Sequence, residues 1–115
     1  MRPGQGQPNQ LECAILERIA KDEPWLQGPF HSLQVLSREY TGVGGYTNFL
    51  CDQAEAPGDP YPGLKPLIRL PGVPNGMGAV LWCHGVYPAS LELFTYGDDA
   101  WDGTFEGFSF EENGR

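Results

Sequence analysis

Cysteine and histidine are the residue types most able to ligate zinc or to act as nucleophile and base, and this chain has few of them. It contains three cysteines and two histidines, of which Cys83 and His84 are adjacent. Adjacent side chains on a strand point to opposite faces of a sheet, so these two do not readily share one metal ion. Zinc-binding spacings such as C-x-x-C do not occur in the sequence. We therefore expect a buried cysteine and a half-exposed histidine rather than a metal site.

The acidic stretch 98–103 partly matches a calcium-binding loop. Asp98, Asp102 and Gly103 stand where an EF-hand loop has its first, fifth and sixth positions. The third position is Ala100, and the twelfth, which needs a bidentate glutamate, is Ser109. The match fails at two ligand positions, and we expect neither calcium nor any other cofactor to be bound.

The chain has no Gly-x-Ser-x-Gly motif, and His31 and His84 are its only histidines that could act as a base. A nucleophilic Cys51 paired with one of them stays open, because catalytic residues meet in space and not in sequence. Residues 53–66 contain four prolines and two glycines and are predicted to form a loop. A long loop without secondary structure is sometimes a functional lid. One alternative hypothesis is therefore a small enzyme that uses Cys51 or a carboxylate in a cleft under this loop.

The distribution of charge is the strongest functional signal. Seven lysines and arginines against fifteen acidic residues give a formal net charge of -8. No lysine or arginine occurs between Leu70 and Gly114, whereas the preceding part of the chain is nearly balanced. An excess of negative charges destabilises a fold because these charges repel one another, and it favours association with a basic partner. The acidic residues of this C-terminal part are Glu92, Asp98, Asp99, Asp102, Glu106, Glu111 and Glu112.

Aromatic residues are interspersed with these acids, and aromatic side chains are common anchors of protein interfaces. We expect Trp101, with Phe105 or Phe108, to anchor a partner-binding surface. The partner-binding residues predicted from the sequence are Glu92, Asp98, Asp99, Trp101, Asp102 and Glu106. The alternative interpretation is a solvated acidic segment whose aromatic residues hold it at the edge of the domain.

The acidic composition disfavours two classes of partner. Nucleic-acid phosphates and anionic membranes both attract surfaces rich in lysine and arginine. No apolar run approaches the roughly 18 residues of a membrane span, and the N-terminus has no apolar signal-peptide core. An odd number of widely spaced cysteines is typical of a reducing compartment. We therefore expect a cytoplasmic protein without a nucleic-acid or membrane partner.

A single helix is predicted near the N-terminus, after a flexible lead-in at residues 1–8. Asn9 and Glu12 have the spacing of a capping box. Apolar residues then recur every three or four positions and stop before Pro24, which cannot continue a helix. These signals predict a helix over residues 10–22.

Beyond residue 33 the apolar period changes to two, which predicts strands. A glycine-rich turn at 42–45, whose glycines would supply positive φ, is expected to join the first two strands into an antiparallel hairpin. A turn at Pro74-Asn75-Gly76 is expected before the fourth strand. The predicted strands cover residues 33–40, 46–51, 67–70, 78–84 and 89–96.

The predicted fold class is α+β, with one N-terminal helix packed on an antiparallel sheet of about five strands. Residues 9–115 are expected to form one domain that ends in an acidic, aromatic C-terminal segment. A chain of 115 residues leaves little room for a second domain.

Two segments resemble small bacterial proteins that have a Thr-Gly-Val-Gly turn and a strand ending in Tyr-Gly-Asp. The first segment runs from Arg38 to Thr47 and the second from Leu91 to Asp98. Some such short acidic proteins look like immunity partners of polymorphic or contact-dependent toxins. The resemblance implies a bacterial cytoplasmic binding protein and carries no catalytic residues.

Charge and resemblance together predict a non-enzymatic domain that blocks a basic, nuclease-like toxin domain. Its acidic side chains would occupy the sites at which the toxin's lysines and arginines hold phosphates. Two alternatives remain: the small enzyme described above, and a homo-oligomer, such as a homodimer, that pairs through an exposed strand edge.

Overall fold

The computed structural model describes residues 6–26, 28–50, 61–97 and 99–112. Within these ranges one helix and six strands form a mixed α+β fold. The elements are α1 (Gln10–Asp22), β1 (Val35–Tyr40), β2 (Gly44–Phe49), β3 (Leu67–Leu70), β4 (Val73–His84), β5 (Tyr87–Thr95) and β6 (Ser109–Glu111). The one helix of this described part of the chain is too short and too polar to cross a lipid bilayer.

Helix α1 has the bounds that its local signals predict. Asn9 Oδ1 accepts a hydrogen bond of 2.8 Å from the Glu12 N–H, and Glu12 Oε1 accepts one of 2.9 Å from the Asn9 N–H. The predicted capping box is confirmed, and it satisfies two N–H groups that the helix itself leaves unpaired. The apolar stripe of the helix is buried in the core and consists of Leu11, Ile15, Leu16 and Ile19.

The six strands form one antiparallel sheet in the order β1-β2-β5-β4-β3-β6. The predicted hairpin of β1 and β2 is confirmed, and the expected number of strands is close to the observed one. The strand that the sequence pattern did not reveal is β6, which has three residues and lies in the C-terminal segment. It pairs with β3, so that Phe110 lies opposite Ile68 and Ser109 opposite Arg69.

The turn predicted at Pro74-Asn75-Gly76 is wrong, because these residues lie inside β4, which begins at Val73. The chain reverses at Pro71 and Gly72 instead, and Gly72 has a φ of 84°. Gly76, with a φ of 75°, lies near the point where the register between β3 and β4 shifts. Bulges and turns both use glycine with positive φ, so the local sequence did not distinguish them.

The glycine-rich stretch at 42–45 serves two different needs. Only Gly42 has the predicted positive φ, 92°, whereas Gly44 and Gly45 lie within β2 and do not. A Cβ at Gly44 would collide with the Leu93 carbonyl oxygen, and one at Gly45 would lie 2.5 Å from the Glu39 carbonyl oxygen. These two glycines therefore allow neighbouring strands to approach closely.

One face of the sheet is turned towards α1 and the other faces away from it. Thr47 of β2 donates a hydrogen bond of 2.6 Å to Glu12 of α1, so the face that carries Thr47 is turned towards α1. Its cross-strand neighbours Leu91 and Leu81 are fully buried there. Alternate residues of each strand point the other way. This second surface, the outer face, carries Ser37, Glu39, Tyr46, Asn48, Val80, Trp82, Ser90, Glu92 and Phe94.

Segments outside the named strands extend the sheet at two points. Gly6 accepts a hydrogen bond of 2.6 Å from the Val35 N–H, which places the end of the predicted lead-in beside β1. Residues 61–64 hydrogen-bond to β4 before β3 begins. Residues 1–5 of the lead-in and 53–60 of the predicted loop lie outside the described residues.

Candidate functional site

Glu92 lies on the outer face between two aromatic hydrogen-bond donors. The Trp82 indole Nε1 donates to Glu92 Oε1 at 3.1 Å, and the Tyr46 hydroxyl donates to Oε2 at 3.4 Å. Because β5 runs between β2 and β4, Tyr46 and Val80 stand directly opposite Glu92 on either side. Trp82 is two positions from Val80 and reaches Glu92 diagonally. This predicted partner-binding residue therefore lies half-buried on the sheet surface that faces away from α1.

Further aromatic side chains pack on or near the strands that carry Glu92 and its donors. The ring centres of Tyr61 and Trp82 are 5.2 Å apart, and Tyr61 is 59% exposed. Phe94 and Tyr96 pack edge to face at 5.5 Å. Both lie over Gly78, where a Cβ would be 2.5 Å from the Tyr96 hydroxyl. The outer face thus combines aromatic surface with a carboxylate, a combination visible only once the register of the strands is known.

A second carboxylate of the outer face is Glu39 on β1. Asn48 Nδ2 donates to Glu39 Oε2 at 2.8 Å, and Asn48 Oδ1 accepts a hydrogen bond of 2.8 Å from the Ser90 hydroxyl. The negative charge of Glu92, then burial, the hydrogen bond to Glu92 and the charge of Glu39 raise the pKa of Tyr46. The Tyr46 hydroxyl therefore keeps its proton and remains a donor to Glu92 at neutral pH.

Asp99 and Asp102, which follow β5 and lie within the described ranges, have hydrogen-bond partners other than those of Glu92. Asp99 accepts a hydrogen bond of 2.8 Å from the Asn75 N–H, near the start of β4. Asp102 accepts one of 2.9 Å from the Thr104 N–H, and this bond lowers the pKa of the Asp102 carboxyl. Asp98, another predicted binding residue, lies outside the described residues. Among the predicted binding residues that the structure describes, Glu92, Asp99 and Asp102 do not share one hydrogen-bonded network.

Glu106 belongs to a different surface. It lines a cleft of about 820 Å³ between the start of α1 and the loop that precedes β6. The residues that line this cleft are Asn9, Gln10, Leu11, Thr104, Phe105, Glu106, Gly107 and Phe108. A partner that covers the outer face would contact the strands on the side away from α1, so Glu106 is not part of that contact.

Trp101 is a core residue and not an exposed anchor, because its side chain is only 4% exposed. Its indole Nε1 donates to the Thr104 carbonyl oxygen at 2.9 Å, and its backbone N–H donates to the Gly42 carbonyl oxygen at 3.0 Å. The Tyr40 hydroxyl donates to the Trp101 carbonyl oxygen. The bonds with Gly42 and Tyr40 fix the acidic segment to the hairpin of β1 and β2, and the bond with Thr104 lies within the segment. The finding corrects the expected role of Trp101 and agrees with the alternative, in which aromatic residues hold the segment at the domain.

The three arginines of the described ranges are each paired with a carboxylate. Arg18 Nη1 lies 2.5 Å from Glu112 Oε2, and Arg69 Nε lies 2.8 Å from Glu111 Oε1. Arg38 is paired with Glu12. Glu111 and Glu112, the last two acidic residues of the C-terminal part, are therefore neutralised within the chain. Within the same ranges, no lysine or arginine nitrogen lies within 4.0 Å of the carboxylates of Glu39, Glu92, Asp99, Asp102 and Glu106.

Cys83 and His84 have the degrees of burial that the sequence analysis expects of them. Cys83 is fully buried and His84 is half-exposed. Burial raises the pKa of the Cys83 thiol to about 12, so this thiol stays protonated at neutral pH and is a poor nucleophile. Cys51 lies outside the described residues. Among those that are described, no three His, Cys, Asp or Glu side chains are grouped as metal ligands.

The two segments that resemble immunity-like proteins are neighbours in the fold. The first contains the turn between β1 and β2 with the adjoining part of each strand, and the second begins within β5. The Thr95 N–H donates to the Val43 carbonyl oxygen at 2.9 Å. Comparison of the chain with protein-family models, with curated proteins and with solved structures finds no match. The resemblance stays a prediction, and the functional proposal depends on the geometry of the outer face.

Proposed function

We propose that this chain is a non-enzymatic protein-binding domain whose partner is a basic protein. The distribution of ion pairs carries the proposal. Each described arginine is already paired with a carboxylate of the chain, whereas Glu39 and Glu92 on the outer face have no lysine or arginine partner in the described ranges. A partner with lysines and arginines on its surface would supply the missing positive charge.

The outer face also has the composition of an interface, since tyrosine and tryptophan are enriched at interface centres. Tyr46 and Tyr61 are 37% and 59% exposed, and the Trp82 ring packs on Tyr61. Covering these rings would remove apolar surface from water while Glu92 gains a cationic partner. Burial of the rings would contribute to affinity, and the Glu92 carboxylate would make the surface specific for a positively charged partner.

Acidic residues away from the outer face act at longer range. The net charge of -8 attracts a basic protein, and this attraction accelerates encounter. It weakens with added salt, because the screening length is about 10 Å at 0.1 M. We assign direct contact with the partner to Glu92 and long-range attraction to Asp99 and Asp102, whereas Trp101 and Glu106 would make no contact.

The more specific form of the proposal is a bacterial immunity protein. Its carboxylates would cover the lysines and arginines with which a nuclease-like toxin holds phosphates. The toxin would be inhibited by physical blockade, with no chemical step in this chain. Support comes from the two segments that resemble immunity-like proteins and that lie side by side. An immunity protein of this kind acts in the cytoplasm, the location expected from the sequence.

Capture of the partner from the native host tests the proposal. The immobilised protein is exposed to host extract at about 0.05 M salt, and bound proteins are eluted with rising salt and identified by mass spectrometry. We expect a basic protein that is released by salt, retained by the Glu17→Gln variant and lost with the Glu92→Gln variant.

The two variants are matched controls. Each removes one negative charge, but Glu17 lies exposed on α1, on the other side of the sheet from Glu92. Capture of acidic proteins alone, or equal retention of the basic protein by both variants, would contradict the proposal.

A further inference from the structure

We infer that the Glu92 cluster, defined as Tyr46, Tyr61, Trp82 and Glu92, binds one arginine side chain of the basic partner. The inference rests on the proposed function and makes it more specific, because it names the residue type recognised on the outer face. The partner's guanidinium group would pair with the Glu92 carboxylate and lie against the Trp82 and Tyr61 rings.

The Glu92 carboxylate has hydrogen-bonding capacity to spare. A carboxylate can accept about four hydrogen bonds, and the described residues give it two, from the neutral donors Trp82 and Tyr46. No lysine or arginine of the described ranges pairs with it. The stretch 51–60, which precedes Tyr61 and lies outside those ranges, contains no lysine or arginine in its sequence. The two aromatic donors therefore fix the carboxylate in position but do not neutralise it.

The chain already contains the proposed arrangement once, between its helix and its sheet. Arg38 Nε donates to Glu12 Oε2 at 2.9 Å and Arg38 Nη2 donates to Oε1 at 2.7 Å. The Arg38 Cζ lies 5.8 Å from the centre of the Phe105 ring, and the neutral Thr47 hydroxyl donates to the same carboxylate. The cluster around Glu92 has the carboxylate, the neutral donors and the aromatic rings of this arrangement. An arginine from the partner would complete it.

Arginine fits this cluster better than lysine does. A guanidinium group is planar, weakly hydrated and able to donate two parallel hydrogen bonds to one carboxylate while it stacks on an aromatic ring. Tryptophan is the strongest aromatic partner for a cation, and the Trp82 ring is held beside Glu92 by its indole N–H, with the Tyr61 ring packed against it. A lysine ammonium is compact and strongly hydrated, so it gains less from flat rings.

The test uses the whole protein with two blocked amino acids as probes, N-acetyl-arginine amide and the neutral N-acetyl-citrulline amide. The readout is the NMR signal of the Trp82 indole N–H, which is assigned from its loss in the Trp82→Phe variant. The indole N–H groups of Trp25 and Trp101 donate to Glu23 and Thr104 within the fold and serve as internal references. We expect a saturable shift of the Trp82 signal with a dissociation constant in the millimolar range, on the order of 1–10 mM.

The control variants and probes show whether binding depends on the charge of the Glu92 side chain and on the guanidinium group of the probe. The Glu92→Gln variant keeps an oxygen that can accept from the indole but removes the charge, and we expect about tenfold weaker binding of the arginine probe. The Glu17→Gln variant should bind it with unchanged affinity. N-acetyl-lysine amide should bind more weakly than the arginine probe. The inference is overturned if the Trp82 signal shows no saturable shift, if the citrulline probe shifts it equally, or if both glutamine variants bind alike.

The outcomes also separate this inference from the proposed function. Failure of the arginine probe together with salt-sensitive capture of a basic partner would remove the arginine site and leave the binding function. Binding of the probe without capture of a basic partner would confirm the guanidinium site and overturn the proposed function. Tighter binding of free L-arginine than of the blocked form would assign the site to a small molecule, which contradicts the inference of a protein side chain.

Discussion

Thr47 and Glu12 lie 35 residues apart in the sequence, and the Thr47 hydroxyl donates a hydrogen bond of 2.6 Å to Glu12 Oε2. The Glu12 side chain is fully buried and also accepts from two nitrogens of Arg38. One carboxylate therefore joins the start of α1 to β2 and to β1. Glu12, the second residue of the predicted capping box, thus also accepts the hydrogen bonds that join the helix to the sheet.

Removal of this carboxylate should destabilise the fold. The Glu12→Ala substitution deletes part of the helix cap and leaves the Arg38 guanidinium, whose side chain is 26% exposed, without its counter-ion. We expect the free energy of unfolding to fall by about 3 kcal/mol. The Glu17→Ala substitution, on the exposed side of α1, should change it by less than about 0.5 kcal/mol. Urea unfolding followed by tryptophan fluorescence measures both, and equal midpoints would contradict this role of Glu12.

Acid should weaken the same contact. Burial alone would raise the pKa of the Glu12 carboxyl, but hydrogen bonds from Arg38, Thr47 and the Asn9 N–H, with the charge of Arg38, hold it below its ordinary value of 4.5. Because the pKa is lower in the folded state, the stabilisation is present above about pH 4.5 and is lost as the pH falls through the folded-state pKa.

A comparison of wild type with the Glu12→Gln variant isolates this titration from that of the other carboxylates, which both proteins share. We expect the difference in their free energies of unfolding to shrink as the pH is lowered from about 7 to about 3. Urea midpoints at intermediate pH values measure it. A difference that stays constant over this range would show that Glu12 does not titrate with the predicted sign.

Trp101 should behave as a core residue. The Trp101→Ala substitution removes a ring that is 4% exposed and should cost about 4 kcal/mol of unfolding free energy. The Tyr61→Ala substitution removes an exposed ring and should cost less than about 1 kcal/mol. Urea unfolding measures both. A Trp101→Ala protein of native stability that fails only in partner binding would restore Trp101 as an interface anchor.

Gly44 and Gly42 should differ in their tolerance of a side chain. The Gly44→Ala substitution places a methyl group against the Leu93 carbonyl oxygen, so β2 and β5 must separate locally. A methyl group at Gly42 meets no atom within 4 Å, and its cost is the strain of a positive φ, about 1 to 2 kcal/mol. We expect Gly44→Ala to lower the thermal unfolding midpoint more than Gly42→Ala does. The opposite order would contradict the close approach of these strands.

Local signals were sufficient to predict the helix and most strands. The bounds of α1 follow from a capping box at one end and Pro24 near the other, within a single short window of sequence. Leu91 and Leu93 of β5 are both buried, in agreement with the two-residue apolar period that predicts this strand.

Contacts between distant residues could not be predicted in this way. Arg38 is separated from Glu12 by 26 positions, and Tyr46 from Glu92 by 46, so neither pair has a local pattern. Their proximity follows from strand order and register, which hydrophobic periodicity does not specify. For the same reason the count of acidic residues after Leu70 did not show that two of them are paired with arginines from earlier in the chain.

The affinity of the captured basic partner for three proteins, the wild type, Glu92→Gln and Glu17→Gln, tests the central claim most directly. The dissociation constant is measured by calorimetry at about 0.05 M and about 0.5 M salt. We predict that Glu92→Gln weakens binding by about tenfold or more at low salt and reduces its salt dependence, whereas Glu17→Gln stays within about twofold of wild type. Equal affinities of the two variants at both salt concentrations would contradict the assignment of the outer face as the binding surface.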